Sequence, residues 1–357
     1  MAHASHPQIG FVGLGGWGTV QATTVRDLGG TVTIGADVSA EARSAFEDTF
    51  DVPTVERYEQ LPYDELDGVV VGTPNAYHAP AVIEALEHDV AAYVAKPMAN
   101  AVAAAEEMIA AERASEAFGM VGFVSRFTAG VELFMAYHEQ DTFGDITHVE
   151  VTILRRRGIP GVGSWFCDAE LAGGGSLYDL GVHVIDRALY MLDFPEPVEV
   201  CGVARTDLGD REDYADPDSW NDHWELAGNA FTVEDSTSSF VRFADGMSMT
   251  IETSWAVNRD PSRKTVIRGT AGGAVLGGDG DLEITAASRA GVDHYVDTTL
   301  SGNLDRTGHE GAQSVFLEAI RADEPPETCT FEEGIVTQRI MDAVYESSDR
   351  GAAVRLD

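Results

Sequence analysis

Lysine is nearly absent from this chain: of 23 basic residues only Lys96 and Lys264 are lysines. A lysine retained where arginine serves elsewhere points to a chemical role. Lys96 stands in Val94-Ala95-Lys96-Pro97, directly after an apolar strand-like run, and the carboxyl ends of parallel strands are where open α/β sheets bind ligands. Lys264, beside Arg263 in another strand-like run, has no comparable setting. The second chemical segment follows Gly173-Gly174-Gly175. There Asp179 and His183 lie four residues apart, so a helix places both on one face. A carboxylate beside an imidazole is a general-base pair. The same spacing also reads as a helix cap followed by a core histidine. Asp179, His183 and Asp186 lack a convincing further arm for a metal site, so no metal is expected.

A third segment is suited to binding. Gly13-Leu14-Gly15-Gly16-Trp17-Gly18 fits G-x-G-x-x-G, follows a strand pattern and opens a helix pattern. Its glycines permit a tight turn and close approach of a pyrophosphate to the helix N-terminus. Asp37 ends the next strand, 19 residues after Gly18. A carboxylate there accepts from an adenosine ribose and repels a 2′-phosphate, so NAD is expected over NADP. Ser39 fills the neighbouring helix-cap position. Arg43, one turn on, keeps NADP open.

The elements that must position these residues alternate at first. Strands are expected at Gln8–Val12, Thr31–Ala36, Gly68–Gly72, Val90–Val94 and Met120–Val124. Helices are expected at Trp17–Leu28, Ala40–Phe50, Ala79–Glu87 and Ala101–Glu116. That rhythm predicts an α/β fold with an N-terminal, doubly wound parallel sheet of the Rossmann type. After about residue 128 the rhythm changes. A helix over Ala129–His138, a strand over Thr147–Leu154 and a glycine-rich stretch precede a helix over Tyr178–Leu192. Long strands follow, including a hairpin turning at Asp245-Gly246, then helices near Gly311–Arg321 and Phe331–Ser348. Two domains are expected: 6–127 for nucleotide binding and 128–357 for substrate binding and oligomerisation, an α+β domain. The acidic segment Asp207–Glu225, with Trp220 and Trp224, reads as a surface excursion.

Composition bounds the function. There are 60 acidic residues and a formal net charge of −37, spread along the chain. Such a surface repels itself unless salt screens it, and we read the chain as built for molar salt. The same charge argues against nucleic-acid and anionic-membrane binding. Three cysteines without CxxC spacing fit a reducing cytoplasm. No run of about 18 apolar residues predicts a membrane span.

Taken together, these segments resemble the Gfo/Idh/MocA oxidoreductases, the group of glucose–fructose oxidoreductase and inositol dehydrogenase. The resemblance also includes Thr73-Pro74-Asn75 with His78, Ser125-Arg126-Phe127, Trp165, and Glu234-Asp235 leading into the hairpin that ends at Ser254-Trp255. It implies a C-terminal domain with a large, mostly antiparallel open sheet that forms a homodimer or homotetramer interface. It implies a carbohydrate substrate and places Lys96, Asp179 and His183 in the catalytic site, with His183 or Lys96 as the base. Thr73, Pro74, Asn75, His78, Pro97 and Arg126 then belong with the cofactor. Trp165 and Tyr178 are candidates either for a sugar face or for the core. The run Arg155-Arg156-Arg157 could bind an acidic substrate or balance the acidic surface. The expected activity is NAD-dependent dehydrogenation of a sugar, polyol or sugar derivative. The alternatives are a redox-neutral sugar isomerase or glycosidase and a non-catalytic NAD-binding sensor. One departure bears on activity: Ala95 stands where the family usually has a glutamate that orders the cofactor side of the pocket.

Overall fold

The computed structural model describes residues 6–217, 231–278 and 280–356. In chain order the first elements are β1 (Gln8–Val12), α1 (Gly16–Asp27), β2 (Thr31–Ala36), α2 (Ala40–Phe50), β3 (Thr54–Val55), β4 (Gly68–Val71), α3 (His78–Glu87), β5 (Ala91–Val94), α4 (Val102–Ala114) and β6 (Gly119–Val121). Then come α5 (Ala129–His138), β7 (Ile146–Leu154), α6 (Ala169–Ala172), a π-helical turn (Leu177–Gly181), α7 (Val182–Met191), β8 (Pro197–Arg205), β9 (Ser236–Phe243), β10 (Ser248–Ser254) and β11 (Ser262–Gly269). The chain finishes with β12 (Gly272–Leu276), β13 (Leu282–Ser288), β14 (His294–Leu300), α8 (Gly308–Ala322), α9 (Phe331–Arg350) and β15 (Val354–Arg355).

Two compact units emerge, Met1–Val124 with Arg306–Gln338, and Ser125–Asp305 with Arg339–Asp357. The first holds a six-stranded parallel sheet in the order β3-β2-β1-β4-β5-β6. All four residues of β4 (Gly-Val-Val-Val) and of β5 (Ala-Ala-Tyr-Val) are buried. Continuous apolar strands of this kind are what a sheet covered by helices on both faces requires. The second expected domain began at residue 128 and ran to the end of the chain, whereas Arg306–Gln338 packs with the first unit. The reason is apolar: the Phe316 ring lies 5.6 Å from that of Tyr93 on β5, and a Cβ at Gly119 would sit 2.1 Å from the Phe331 ring.

The second unit is a nine-stranded sheet ordered β14-β13-β12-β11-β7-β10-β9-β8-β15. Only the β7–β10 pair is parallel among its described pairs. Along β9 the burial alternates residue by residue, as in a sheet with one packed and one open face. β8 and β14 were not read from the sequence. β14 is almost wholly exposed and shows no apolar alternation, so the periodicity rule had nothing to detect. The expected strand at Met120–Val124 is shorter and earlier, Gly119–Val121, before a single 3₁₀ turn at Val124–Arg126. Of the acidic excursion, residues 218–225, with Trp220 and Trp224, lie outside the described residues.

Candidate active site

In the first unit the glycine turn has the shape its residues dictate. Gly13 adopts φ +89°, and a Cβ there would meet the Gly72 carbonyl oxygen at 2.7 Å. A Cβ at Gly18 would meet the Gly13 carbonyl oxygen at 2.0 Å. Gly15 and Gly16, by contrast, are exposed and face open space. Gly15 caps α1 with no side-chain hydrogen bond, and the first turn of α1 holds no acidic residue. The N–H groups of that turn are therefore presented to an anion. Trp17 lies over Gly72, where a Cβ would clash with its ring at 2.2 Å.

Asp37 does more than end β2. One carboxylate oxygen accepts from the Leu14 N–H of the glycine turn at 2.7 Å, and the other accepts from Ser39 N–H at 2.8 Å. Each oxygen keeps acceptor capacity for a ribose hydroxyl. Ser39 accepts from Ala42 N–H at 3.2 Å and caps α2. Arg43 donates through Nη1 to the carbonyls of Asp37 (2.6 Å) and Val38 (3.2 Å).

Thr73 and Pro74 are half-buried beside the turn, Asn75 is buried, and the Thr73 hydroxyl is buried without a partner among the described residues. His78 is fully buried, with Nδ1 3.0 Å from the Pro97 carbonyl and Nε2 2.9 Å from the Thr73 carbonyl. Burial pushes its pKa down to about 4 against the pull of those carbonyls. A neutral ring donates to one carbonyl at a time, so His78 braces the Thr73 segment against Lys96-Pro97. Pro97 is likewise buried and Lys96 is half-buried. The Lys96 charge reaches His309, at the start of α8, whose imidazole is held below its usual pKa first by burial and then by that charge. Gln313 donates to Gln21 (2.8 Å), the Gln21 amide nitrogen lies 2.8 Å from His309 Nδ1, and the His309 ring meets Trp17 edge-on at 6.4 Å. Sequence reasoning missed His309, because nothing in residues 306–338 announces that they pack with the glycine turn.

In the second unit the π-helical turn and α7 carry Asp179 and His183, both half-buried. Such turns recur at functional sites. Buried Glu234 fixes the start of this one. It accepts from Gly175 N–H (2.7 Å), Leu177 N–H (2.9 Å), the Ser176 hydroxyl (3.2 Å) and the Tyr345 hydroxyl (2.8 Å). Asp179 accepts from the indole N–H of Trp255 at 2.9 Å, and Trp255 is itself fully buried just past β10. His183 Nδ1 lies 3.3 Å from Ser125 Oγ. Asp179 and His183 are thus both half-buried, with Trp255 donating to the first and Ser125 beside the second.

Comparison with known proteins identifies the family. The profile of the oxidoreductase family with an NAD-binding Rossmann fold matches residues 8–123, and that of the GFO/IDH/MocA C-terminal domain matches residues 135–275. A protein of Amycolatopsis mediterranei, described as the oxidoreductase subunit of a UDP-kanosamine synthase, is 30% identical over 249 residues, 69% of this chain and 67% of that one. The chain belongs to the Gfo/Idh/MocA oxidoreductase family. A D-xylose 1-dehydrogenase (NADP⁺) of Haloarcula marismortui is 25% identical over 364 residues, 97% of this chain and 92% of that one. A levoglucosan dehydrogenase solved with NADH and levoglucosan shares the fold, with TM-score 0.82 and 22% identity over 98% of this chain and 99% of that one.

A Gfo/Idh/MocA oxidoreductase uses NAD(P), and the open Gly15-Gly16 cradle, the uncapped α1 and the orphaned Thr73 hydroxyl fit a dinucleotide. Two expected site residues do not serve where the sequence put them. Arg126 is 2% exposed and makes a bidentate pair with Asp186, Nη2–Oδ1 2.6 Å and Nε–Oδ2 3.0 Å, between the rings of Tyr190 and Phe194. Tyr178 is also 2% exposed and donates its hydroxyl to Asp342, which makes it core. Trp165 is half-buried and stacks on Phe166 at 3.8 Å. The arginine run lies past the end of β7, outside any strand: Arg156 is exposed, and Arg157 is tied to Ala215, Asn258 and the Tyr214 ring. Arg155 is half-buried, and its charge acts on Asp179. Among the described residues no metal-ligand cluster occurs and no helix is long and apolar enough to cross a membrane.

Proposed function

We propose that this family member oxidises a secondary or anomeric hydroxyl of a sugar, polyol or sugar derivative, with NAD as hydride acceptor. The carrying observation is the arrangement on the π turn and α7, where Asp179 is held by the Trp255 indole and His183 by Ser125. With Nδ1–H given to the serine oxygen, the other ring nitrogen of His183 carries the lone pair that takes the hydroxyl proton. Lys96, retained in a chain almost without lysine, is the candidate for stabilising charge that develops on a substrate oxygen. Asp179, fixed by Trp255, receives a neighbouring hydroxyl of the substrate. A bound nicotinamide supplies the acceptor for the hydride. The relatives named above, which act on xylose and levoglucosan, support a carbohydrate substrate.

The preference for NAD rests on Asp37. Its carboxylate is locked in place by Leu14 and Ser39 at the end of β2, and a 2′-phosphate would meet that negative charge. Arg43, engaged with the Asp37 and Val38 carbonyls, is the group an NADP enzyme would use, and the relative from Haloarcula marismortui is named for NADP. Residues 6–127 are assigned to the cofactor and 128–357 to substrate and assembly, with α8 lent to the cofactor side. Val203, Phe240 and Val296, exposed on β8, β9 and β14, support oligomerisation through the open sheet.

The test is NADH formation in molar KCl over a panel of aldoses, inositols, sugar acids and sugar phosphates, wild type beside Lys96→Ala. Turnover on one class, reduced at least about 100-fold in the variant, is the expected result. Tight NAD binding without net reduction by any substrate would overturn the dehydrogenase and favour a redox-neutral reaction or a sensor.

A further inference from the structure

α7 carries two adjacent buried charges with opposite fates. Asp186 receives Arg126 in the bidentate pair described above. Arg187, next in sequence and 4% exposed, has no carboxylate partner among the described residues. Its Nη2 donates to the Thr265 hydroxyl at 2.7 Å, and its Nε is buried with no hydrogen-bond partner among the described residues. Buried guanidinium groups are ordinarily paired, because the charge is costly to desolvate. This one occurs in a chain with 60 carboxylates available.

The strand register shows what lies around it. Val151 of β7 pairs with Thr265 of β11, and Ile153 pairs with Arg263. Side chains two apart share a face, so Arg263 and Thr265 lie on one face of the sheet, and Arg155, just past the end of β7, is close enough to feel the charges of Arg263 and Asp179. Arg187 reaches the same face from α7, one helical turn beyond His183. Arg263 is exposed and Arg155 half-buried, so the group opens to solvent above the buried Arg187. The charge that faces Arg155 in opposition is Asp179, while Arg263 repels both Arg155 and Arg187. Three guanidinium groups thus gather near Asp179 and beside the groups assigned to catalysis.

We infer that Arg155, Arg187 and Arg263 bind an anionic group, a carboxylate or a phosphate, carried by the substrate whose hydroxyl His183 and Asp179 handle. The inference rests on the dehydrogenase reading for the substrate's role, but the anion site itself does not. Guanidinium forks match the planar oxygens of both groups. The fit is to a sugar acid or a sugar phosphate, and an uncharged sugar leaves the Arg187 Nε unmet.

Two measurements test it at constant ionic strength. The first is saturable thermal stabilisation by inorganic phosphate, for wild type and for Arg263→Gln, a variant at an exposed strand position that preserves the fold; Arg187→Met is the buried counterpart and can fail to fold. Phosphate binding at least tenfold weaker in Arg263→Gln is expected. No saturable effect, or an equal effect in both proteins, overturns the site. The second is NADH formation from matched pairs, glucose with glucuronate and glucose with glucose 6-phosphate. The kcat/KM ratio of charged to neutral partner should exceed ten in wild type and fall at least tenfold in Arg263→Gln. The larger of the two pairs identifies carboxylate or phosphate as the group. Equal turnover of charged and neutral sugars overturns the inference and leaves the dehydrogenase intact. Phosphate binding lost in the variant, with no sugar reducing NAD, overturns the dehydrogenase and leaves the anion site.

Discussion

Replacing Asp186 by Asn should destabilise the protein without touching its cofactor. The Arg126–Asp186 pair is bidentate, and both side chains are essentially inaccessible to solvent. Removing one partner of such a pair leaves an uncompensated buried charge, which costs about 3–5 kcal/mol. Asn keeps one acceptor, so we expect the lower end, about 3 kcal/mol. For a unit of roughly 150–250 residues each kcal/mol moves the unfolding temperature by about 2–4 °C, giving a fall of about 6–12 °C. The assay is thermal unfolding in fixed molar KCl at fixed protein concentration, without NAD, because a ligand would add its own stabilisation. The double variant Arg126→Met/Asp186→Leu removes both charges and keeps apolar volume between Tyr190 and Phe194, so it should recover most of the loss. NAD affinity should match wild type in that double variant. A single variant within about 1 kcal/mol of wild type, or a folded double variant with tenfold weaker NAD binding, would refute the structural role assigned to Arg126.

Three further outcomes are expected. Asp37→Ser should weaken NAD binding and raise the affinity for NADP, read as the ratio of the two dissociation constants; an unchanged ratio would remove Asp37 from cofactor selection. Glu234 is held above its usual pKa by burial, despite its four donors, so the folded state binds that proton more tightly than the unfolded state does. Wild-type stability should therefore rise as pH falls through the raised value toward the ordinary glutamate range, and Glu234→Gln should lose that part of the slope in denaturant unfolding across pH. Raising KCl from dilute to molar should stabilise a chain of net charge −37; greatest stability in dilute buffer would contradict the salt-adapted reading.

The glycine turn, Asp37, the alternating first sheet and the Asp179/His183 spacing were legible in the sequence because each is local. A turn, a strand end and a helix face are written within a few consecutive residues. What the sequence hid is long-range. Nothing near Arg126 says that Asp186, 60 positions on, consumes its guanidinium. Nothing near Asp179 says that Trp255 arrives from the end of β10 to hold it, although Ser254-Trp255 belongs to the family pattern. His309 and Arg187 are invisible for the same reason. A continuous helix was expected from Tyr178, and the π turn there follows from the Glu234 anchor, which comes from another strand's start.

The assignment of Arg306–Gln338 to the first unit has a consequence for how the protein is made. Residues up to Val124 leave the ribosome as a six-stranded sheet still lacking Phe316 and Phe331, whose rings cover Tyr93 and Gly119. At roughly 5–20 residues per second, about 10–40 s pass before those rings are synthesised. During that interval the nascent sheet exposes an apolar face to solvent, and a chaperone has its natural opportunity there. A ribosome stalled anywhere between Ser125 and Asp305 would release a first unit that cannot close its own core.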